Sequence, residues 1–430
     1  MRAVMLALMS NYKQVIDYLY SLRNHGSSYG IDRMRSLMHE LGDPHRSFPI
    51  IHVAGTNGKG SVCAMLEILY RKSGYKTALY TSPHLIELGE RIQVNRTCLS
   101  EQGLLGKAEA LRPIADKLAK KQPMLKASFF EFITAMAFQH FAEQGVDIAC
   151  IETGLGGRLD ATNVVQPELS IITTISLDHT DLLGDSIEKI AFEKGGIIKP
   201  KKPVLLGNIE PTAEAILRSL ANERGSPVYS IHDRFKNKAL RPHTNLSGDY
   251  QRWNAATAIY ATEILSKKFP LQPSDGLCNV NWPGRWQITH FQGKTLIFDA
   301  THNAEGCQQL VEQLEQLSNK PIVITGALGE ERGKALIKSL APYACELYVV
   351  APNDERATSP EFLISCLPQN LPYTPKRSFI SELFPSVGHC AVGQKGDTIL
   401  ITGSIQLIGE IQQRLTTNKA ICLSKLQDKI

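Results

Sequence analysis

The sequence predicts an α/β fold of two domains, each with a mainly parallel sheet between layers of helices. Three observations lead to this prediction. The 430 residues exceed one average domain. Short apolar segments of strand length alternate with helical patterns. This alternation pauses at residues 270–284, which are rich in Pro, Gly, Asn, Ser and Asp, and then restarts. We therefore expect a first domain over residues 1–287 and a smaller domain over residues 288–430.

Composition narrows the class of protein. The net charge of +5 is mild and no long basic run occurs, so anionic small molecules are indicated as partners rather than nucleic acid. The nine cysteines are odd in number and form no C-x-x-C pair, which favours reduced thiols in the cytoplasm over a zinc site or a disulfide framework. The apolar start at residues 1–10 is too short for a signal peptide, and it either extends the first helix or precedes a true start at Met9. No other window approaches a membrane span, so we expect no membrane attachment.

The first domain begins with a helical pattern at residues 11–42, followed by a strand at Ile50–Ala54 and a glycine-rich turn at 55–61. A helix is predicted at Val62–Ser73. Another is predicted from Ser128 to Gln144, where Ser128 and Glu131 form an S-x-x-E capping box and Gly145 ends the helix. The remaining strands of this domain are predicted at Lys76–Thr81, Val146–Ile151, Leu169–Ile175, Val204–Leu206 and Val228–Ile231.

The second domain repeats the alternation, which is typical of a Rossmann-like α/β fold. Its predicted strands are Thr295–Phe298, Ile322–Thr325, Glu346–Val350 and Thr398–Thr402, and its predicted helices lie near Glu305–Leu317 and at Gly333–Leu340.

The turn at residues 53–61 reads VAGTNGKGS and joins a strand to a helix. In that setting backbone N–H groups and the helix N-terminus bind phosphate, so Asn57, Gly58, Lys59, Gly60 and Ser61 are candidate phosphate-binding residues. Lys59 would reach the β- and γ-phosphates, and Ser61 would lie near a metal ion. The strict P-loop pattern is not met, because Val53 replaces the first glycine and Gly60 separates Lys59 from Ser61. A flexible glycine turn is the alternative.

Two polar residues follow predicted strands, at the sheet edge where doubly wound folds bind ligands. Glu152 is a hard oxygen ligand of the kind that Mg²⁺ prefers, although a surface carboxylate is the alternative. The glycines that follow it favour the metal reading, since they allow close approach of backbone to a ligand. His179 alone is more typical of a hydrogen-bonded structural group, because imidazole is an unusual ligand for Mg²⁺.

The phosphate loop resembles that of the Mur ligase superfamily in its folylpolyglutamate synthase/dihydrofolate synthase branch. Further segments agree in the same order: TSPHL at 81–85, ERI at 90–92, SFFEFIT at 128–134, ETGLGGRLDATN at 152–163, LDHTDLLG at 177–184, FEKGGI at 192–197, PGRWQ at 283–287, DATHN at 299–303 and TGSIQLIGE at 402–410. The resemblance spans about residues 30–410. It implies a P-loop-type ATP-binding first domain and ATP as co-substrate.

The resemblance implies Mg²⁺ as the cofactor, with Ser82, Glu152 and His179 as its ligands. From spacing alone, Ser82 is only a turn residue before Pro83. Lys194 matches the lysine that the family carries as a carbamate. Without the family, Lys194 would be interpreted as a cation at a helix C-terminus.

The resemblance also assigns residues to the substrates. A pterin pocket is implied at Ser128, Phe129, Phe130, Glu131, Leu159, Asp160 and Ala161, with a second loop at Gly30, Ile31, Asp32 and Arg33. We expect Phe130 to pack in the core and Phe129 to face the ligand; the alternatives are that both are core residues and that Glu131 only caps its helix. Arg285 and Asn254 resemble nucleotide-binding residues, and Asp299 and His302 resemble residues that close on ATP and glutamate.

Two segments depart from the family pattern. Ala304 replaces the usual proline after HN, and residues 326–334 lack the acidic-Lys-acidic triplet. The resemblance implies a monomeric ligase that joins glutamate to dihydropteroate and to reduced folates. A ligase for cell-wall nucleotide precursors and a regulatory ATPase without ligase activity are the alternatives.

Overall fold

Two sheets organise the chain. The structure is a computed structural model and describes residues 14–22, 31–236 and 240–416. The first sheet has eight strands in the order β4-β3-β2-β5-β1-β6-β7-β8. They are β1 Ile50–Ala54, β2 Thr77–Tyr80, β3 Ile92–Val94, β4 Thr97–Cys98, β5 Ile148–Glu152, β6 Leu169–Ile172, β7 Val204–Leu206 and β8 Val228–Ser230. The strands β2, β5, β1, β6, β7 and β8 are parallel, and β3 and β4 extend the β2 edge in antiparallel pairing.

The second sheet has six strands in the order β13-β12-β11-β14-β10-β9. They are β9 Gln287–Phe291, β10 Lys294–Asp299, β11 Ile322–Thr325, β12 Glu346–Val349, β13 Lys376–Arg377 and β14 Thr398–Thr402. Only β9 pairs antiparallel. The predicted two-domain α/β fold is thereby confirmed. The predicted boundary between residues 287 and 288 falls inside β9, and its position stays a prediction.

Helices cover both sheets. A helical segment α1 covers residues 14–22. The others of the first part are α2 Asp32–Glu40, α3 Lys59–Lys72, α4 Glu101–Lys121, α5 Phe129–Gln144, α6 Thr180–Leu183, α7 Ile187–Gly195, α8 Pro211–Glu223, α9 Ile231–Arg234 and α10 Asp249–Leu265. Those of the second part are α11 Ala304–Leu314, α12 Glu330–Leu340, α13 Pro360–Ser365, α14 Ile380–Leu383 and α15 Ile405–Thr416. None of these described helices combines the length and apolarity that a membrane crossing requires.

The first sheet is buried on both faces, as its uninterrupted apolar strands predict. All five residues of β1 are buried. Ile51 and Val53 pack with α3 and α10 on one face, whereas Ile50 packs with α2, α4 and α5 on the other. The residues after β1 are therefore held between two cores at the carboxyl edge of the sheet.

The second sheet completes its core with a residue of the first domain. Leu85, from the TSPHL segment, lies in the same apolar cluster as Leu296, Phe298 and Ile401 of the second sheet. Gly409 of α15 lies against the backbone there, and a Cβ at Gly409 would come within 1.9 Å of the Leu85 carbonyl oxygen. The contact explains why a glycine stands in the middle of this helix.

Several element boundaries differ from prediction. The helix after β1 begins at Lys59 rather than Val62, since Gly58 supplies a left-handed residue (φ 83°) just before it. The strand predicted at Leu169–Ile175 ends at Ile172, where the chain leaves the sheet edge. The capping box of α5 is present as predicted, with Ser128 and Glu131 satisfying each other's backbone N–H groups and Gly145 at the C-cap.

Candidate active site

A cavity of about 750 Å³ lies between the two sheets. Several segments of the first domain line it, and they include the phosphate loop at 56–61, residues 82–83, the residues after β5, the segment at 178–183 and part of α10. The second domain supplies the opposite wall, with residues 299–306, 328–332 and 403–406. A cleft of this size that joins two domains is the usual location of a small-molecule site.

The glycines of the phosphate loop are required by the neighbours they approach. A Cβ at Gly55 (φ 152°) would lie 1.9 Å from the Thr173 hydroxyl, and a Cβ at Gly58 (φ 83°) would lie 2.4 Å from Asn254 Oδ1. The alternative of an unconstrained glycine turn is thus not what the structure shows. The loop is tightly packed. The helix that follows starts at Lys59, and its first residues, whose N–H groups have no partner within the helix, line the cavity.

Two ammonium groups converge on this loop. Lys59 Nζ donates to the carbonyl oxygens of Gly55 at 2.9 Å and Thr56 at 3.0 Å, and Lys194 Nζ donates to the Gly55 oxygen at 2.8 Å. Lys194 is buried, and burial together with the nearby Lys59 lowers the pKa of Lys194 to about 7. Lys194 therefore does not act as a surface cation at the end of its own helix. The phosphate loop therefore has a positively charged environment, and it borders a cavity that can hold an anion.

Glu152 ends β5 and is 5% exposed. Its Oε2 accepts a hydrogen bond from the Ser82 backbone N–H at 3.2 Å, and burial raises the pKa of Glu152 to about 7 against the opposing effect of Lys59. A buried carboxylate with one backbone donor is poorly satisfied in its ionised form. A cation beside it would remove this deficit.

His179 stands at the start of α6 with a left-handed backbone (φ 49°). Burial lowers the pKa of His179 to about 4, so its imidazole is neutral at physiological pH and has a lone pair for a ligand. Burial would raise the pKa of the neighbouring Asp178, but His179 and Arg332 hold it at about 2. Ser82, Glu152 and His179 all line the cavity. No group of three His, Cys, Asp or Glu side chains with metal-site geometry occurs in the part of the chain that the structure describes.

The second domain presents its DATHN segment after β10. The carboxylate of Asp299 accepts from the Thr301 hydroxyl of its own turn at 2.6 Å and from the Trp286 N–H of the PGRWQ segment at 2.8 Å. His302 Nδ1 lies 2.8 Å from the Ala300 carbonyl oxygen, so Nδ1 carries the proton and Nε2 keeps its lone pair. Burial lowers the pKa of His302 and keeps its ring neutral. Both residues line the cavity.

Two further predicted nucleotide-binding residues lie at the same cavity. Arg285 lines it and has no hydrogen-bond or ion-pair partner among the residues that the structure describes. Asn254 Nδ2 donates to Gln251 Oε1 at 2.9 Å, and Gln251 Nε2 donates to the Ser61 hydroxyl at 3.3 Å. This chain of amides fixes α10 against the phosphate loop.

Sequence reasoning missed two residues that join the domains. Glu305 Oε2 accepts from Asn57 Nδ2 at 2.6 Å and from the Ser176 hydroxyl at 2.8 Å. Arg332 Nη2 donates to Asp178 Oδ1 at 2.7 Å. Arg332 belongs to the atypical 326–334 segment, and that departure from the family pattern was the available signal. No such signal was available for Glu305, because an acidic residue in the first turn of a helix is ordinary.

The predicted pterin-side residues lie outside the lining of this cavity. Gly30 falls outside the described residues. The rest of the loop expected at residues 30–33 is instead the start of α2, with Ile31 at its N-cap and Arg33 in its first turn. Arg33 Nε donates to Glu131 Oε1 at 3.0 Å, which brings the start of α2 to the start of α5 while Glu131 also caps α5. Asp160 is buried and accepts from the backbone N–H groups of Gly154 and Leu155, both at 2.9 Å. Its carboxylate therefore shapes the loop that follows Glu152.

The expected division between the two phenylalanines is wrong. Phe129 is 3% exposed and packs in the first core, whereas Phe130 is only partly buried at the edge of that core. The ring of Phe130 packs on Gly154, where a Cβ would come within 2.5 Å of it. The helix α5 is apolar on nearly all sides, so its periodicity could not decide which ring faces outward.

Family models and known proteins match this sequence along most of its length. Residues 128–280 match the family model of the Mur ligase middle domain, and residues 284–405 match that of the Mur ligase, glutamate ligase domain. The dihydrofolate synthase/folylpolyglutamate synthase of Bacillus subtilis (strain 168) is 33% identical, with 95% of this chain and 100% of that protein covered. The crystal structure of folylpolyglutamate synthase from Thermotoga maritima has a TM-score of 0.81 at 31% identity and covers 95% of this chain and 97% of its own. Folylpolyglutamate synthase of Mycobacterium tuberculosis, complexed with ADP and AMPPCP, has a TM-score of 0.81 at 27% identity, with coverage of 96% and 99%.

Proposed function

Because this chain belongs to the folylpolyglutamate synthase/dihydrofolate synthase family of Mur ligases, we propose that it is an ATP-dependent amide ligase that adds L-glutamate to dihydropteroate and to reduced folates. ATP would activate the acceptor carboxylate as an acyl phosphate, and ADP and phosphate would be released. One observation carries this proposal: the phosphate loop, Glu152 and His179 of the first domain face the DATHN segment of the second domain across one cavity.

The nucleotide is assigned to the cationic loop. Backbone N–H groups of Gly58, Gly60 and Ser61 would hold the phosphates at the start of α3, and Asn57, whose own N–H donates to the Thr174 hydroxyl at 3.0 Å, would shape the loop beside them. Lys59 would leave its two carbonyl partners and follow the β- and γ-phosphates. Two residues would contact the nucleotide from α10 and from the second domain, namely Asn254 and Asp299. Arg285 would reach the transferred phosphoryl group, which is consistent with its guanidinium lacking a partner among the described residues.

The residues present fit a Mg²⁺ ion, on the ground that Glu152 is buried, poorly satisfied and anionic above pH 7. Glu152, the neutral ring of His179 and the Ser82 hydroxyl would hold it. When bound, Mg²⁺ neutralises charge on the phosphate oxygens during transfer.

Lys194 is proposed to carry a carbamate. A carbamate forms from the neutral amine, and burial has lowered the pKa of Lys194 to about 7, so that form is populated at physiological pH. Its Nζ already lies 2.8 Å from the Gly55 carbonyl oxygen, at the base of the phosphate loop. The modified side chain would place two anionic oxygens near Lys59.

The pterin end of dihydropteroate is assigned to the opposite side of the Gly154 loop. The residues proposed for it are Ile31, Asp32 and Arg33 with Ser128, Phe129, Phe130, Glu131, Leu159, Asp160 and Ala161, together with Gly30. Among the two rings, Phe130 is the one placed to meet a ligand, since Phe129 is enclosed by the core. The Arg33–Glu131 ion pair ties the two segments of this surface together.

The reaction then follows from the residues of the cleft. A carboxylate is a poor electrophile, so its oxygen must first take the γ-phosphoryl group, with the charge on the transferred group stabilised by Lys59 and Arg285. The amine lone pair of glutamate next attacks the acyl carbon, the C–N bond forms and phosphate leaves with the C–O electrons. We assign the proton lost from nitrogen to His302 Nε2, whose ring is neutral and oriented by the Ala300 carbonyl. Closure of the second domain excludes the water that would hydrolyse the intermediate.

We further propose that the protein is a cytoplasmic monomer, in which one chain forms the complete site, and that it does not bind nucleic acid. Both walls of the cavity come from the same chain, which supports this. Light scattering at assay concentrations checks the oligomeric state.

The test is ADP formation with ATP and Mg²⁺, measured with each combination of dihydropteroate, a reduced folate and glutamate. We expect ADP formation to require an acceptor and glutamate, and product amide to match ADP in amount. ADP formation that is indifferent to both substrates would indicate a regulatory ATPase instead. Activity only with a cell-wall nucleotide precursor would indicate the other ligase branch.

A further inference from the structure

Glu305 places a carboxylate on the second-domain wall of the cavity, in the first turn of α11. Its Oε2 accepts from Asn57 Nδ2 at 2.6 Å, from the Ser176 hydroxyl at 2.8 Å and from the Thr174 hydroxyl at 3.4 Å. All three donors are neutral and belong to the first domain. Glu305 forms no direct ion pair with any residue that the structure describes, and the nearby Lys194, whose pKa its charge raises, makes its hydrogen bond to the Gly55 carbonyl oxygen instead.

Helix stabilisation alone does not explain this arrangement. An acidic residue in a first turn interacts favourably with the helix dipole from a solvated position. Glu305 instead reaches across the cleft to the phosphate loop. By contrast, Glu312 lies on the same helix with an exposed side chain, and it makes no such contact.

The location of Glu305 is electrostatically costly once nucleotide is present. Asn57 is part of the phosphate loop and Ser176 lies two residues before Asp178, so the carboxylate stands beside the place proposed for the γ-phosphate. Like charges a few Å apart in a partly buried site repel strongly, because the effective dielectric constant there is well below that of water. A further cation that enters between the two anions would offset this repulsion. The reaction itself brings one, since the amino acid arrives with a protonated amine.

We propose that Glu305 is the anionic group that receives the ammonium of the incoming glutamate and holds its nitrogen beside the acyl phosphate. This rests on the proposed ligase function. Glu305 is then a substrate-binding residue, and the neutral donors Asn57, Ser176 and Thr174 orient its carboxylate without neutralising it. His302 Nε2 takes one ammonium proton to free the nitrogen lone pair, the departing phosphate takes the second proton as the C–N bond forms, and no bond to Glu305 forms or breaks.

The test compares Glu305→Gln with Glu312→Gln, which makes the same change of charge at the exposed position. Glutamine keeps the shape of Glu305, and its amide oxygen still accepts from Asn57, so the fold is expected to persist; thermal unfolding checks this. For Glu305→Gln we expect KM for glutamate to rise about ten- to hundredfold, as for loss of a charge-assisted hydrogen bond, with KM for ATP unchanged. Glu312→Gln should behave as the parent, and Glu305→Asp should retain part of the affinity.

Hydroxylamine separates binding of the ammonium from the earlier steps. It is uncharged at pH 8, and it traps the acyl phosphate as a hydroxamate. We expect Glu305→Gln to form hydroxamate at the parental rate while it forms the glutamate product poorly.

Three outcomes would overturn the inference. The first is an unchanged KM for glutamate in Glu305→Gln. The second is an equal loss of hydroxamate formation, which would mean that Glu305 only joins the domains, and the third is a higher Mg²⁺ requirement with unchanged glutamate affinity, which would mean that Glu305 binds the metal. Failure of the parent enzyme to form hydroxamate from either dihydropteroate or a reduced folate would instead refute the proposed ligase function.

Discussion

Replacing Glu152 by glutamine should stabilise the metal-free protein while it impairs the reaction. Glu152 is 5% exposed, and burial raises its pKa from an ordinary 4.5 to about 7. In the unfolded chain the carboxyl ionises near pH 4.5, whereas in the folded chain it holds its proton until about pH 7. Ionisation therefore favours unfolding, and the cost to stability grows as the pH rises from 4.5 to 7 and is constant above that.

The size of the effect follows from the two pKa values. One pKa unit corresponds to about 1.36 kcal/mol, so the interval from 4.5 to 7 amounts to about 3 kcal/mol at pH 8. At pH 5 the same calculation gives below about 1 kcal/mol. Glutamine has no such cost, and its amide oxygen can still accept from the Ser82 N–H. We expect Glu152→Gln to gain on the order of 2–3 kcal/mol of unfolding free energy at pH 8 and little at pH 5.

Urea unfolding in EDTA at both pH values, followed by circular dichroism, measures this gain. Glu312→Gln, which removes an exposed carboxylate, is the matched control and should change stability by less than about 0.5 kcal/mol. In activity assays without EDTA, Glu152→Gln should need a higher Mg²⁺ concentration than the parent and have a lower kcat. A variant that is less stable than the parent at pH 8 would refute the electrostatic reasoning, and an unchanged Mg²⁺ titration would remove Glu152 from the metal site.

Four other substitutions test the remaining site assignments. Lys59→Ala should lower amide formation by at least about 10²–10³ with an unchanged fold, and turnover near the parental rate would contradict the nucleotide assignment. Lys194→Ala should lose activity and regain part of it with a short carboxylate, and the parent should show a carbamate signal by ¹³C NMR in labelled bicarbonate; a bare amine in an active sample would disprove the modification. Phe130→Ala should raise KM for dihydropteroate about several-fold to tenfold more than KM for a reduced folate, because ring stacking is worth about 0.5–1.5 kcal/mol. Phe129→Ala should instead lower stability by about 3–5 kcal/mol, and equal unfolding midpoints for the two variants would argue against their different burial.

The sequence predicted the central strands best. Ile50–Ala54, Val204–Leu206 and Ile322–Thr325 agree to the residue, because parallel strands buried on both faces are short apolar runs with clear ends. The antiparallel edge at β3 and β4 was missed, since its short and partly polar strands resemble a loop.

The candidate site was predictable where one local segment carries the chemistry, as in the phosphate loop. It was not predictable where two distant segments meet. The contacts of Glu305 with Asn57 and of Arg332 with Asp178 join residues 248 and 154 positions apart, and no local pattern encodes them. The prediction of which ring, Phe129 or Phe130, faces outward failed for a different reason. A helix with apolar side chains on nearly all sides has no distinctive face.

The insertion of Leu85 into the second core limits how this enzyme can be divided for experiments. A fragment that starts at Gln287 would retain every strand of the second sheet but lack Leu85, and the apolar pocket that this side chain fills would open to water. Loss of a buried leucine costs about 2–5 kcal/mol, a large share of the stability of a domain of this size. Leu85 also lies three residues after Ser82, so the segment that approaches Glu152 is anchored in the other half of the molecule. Genetic fusions, split reporters and exchanges of the C-terminal half with a relative should therefore transfer residues 81–92 together with it.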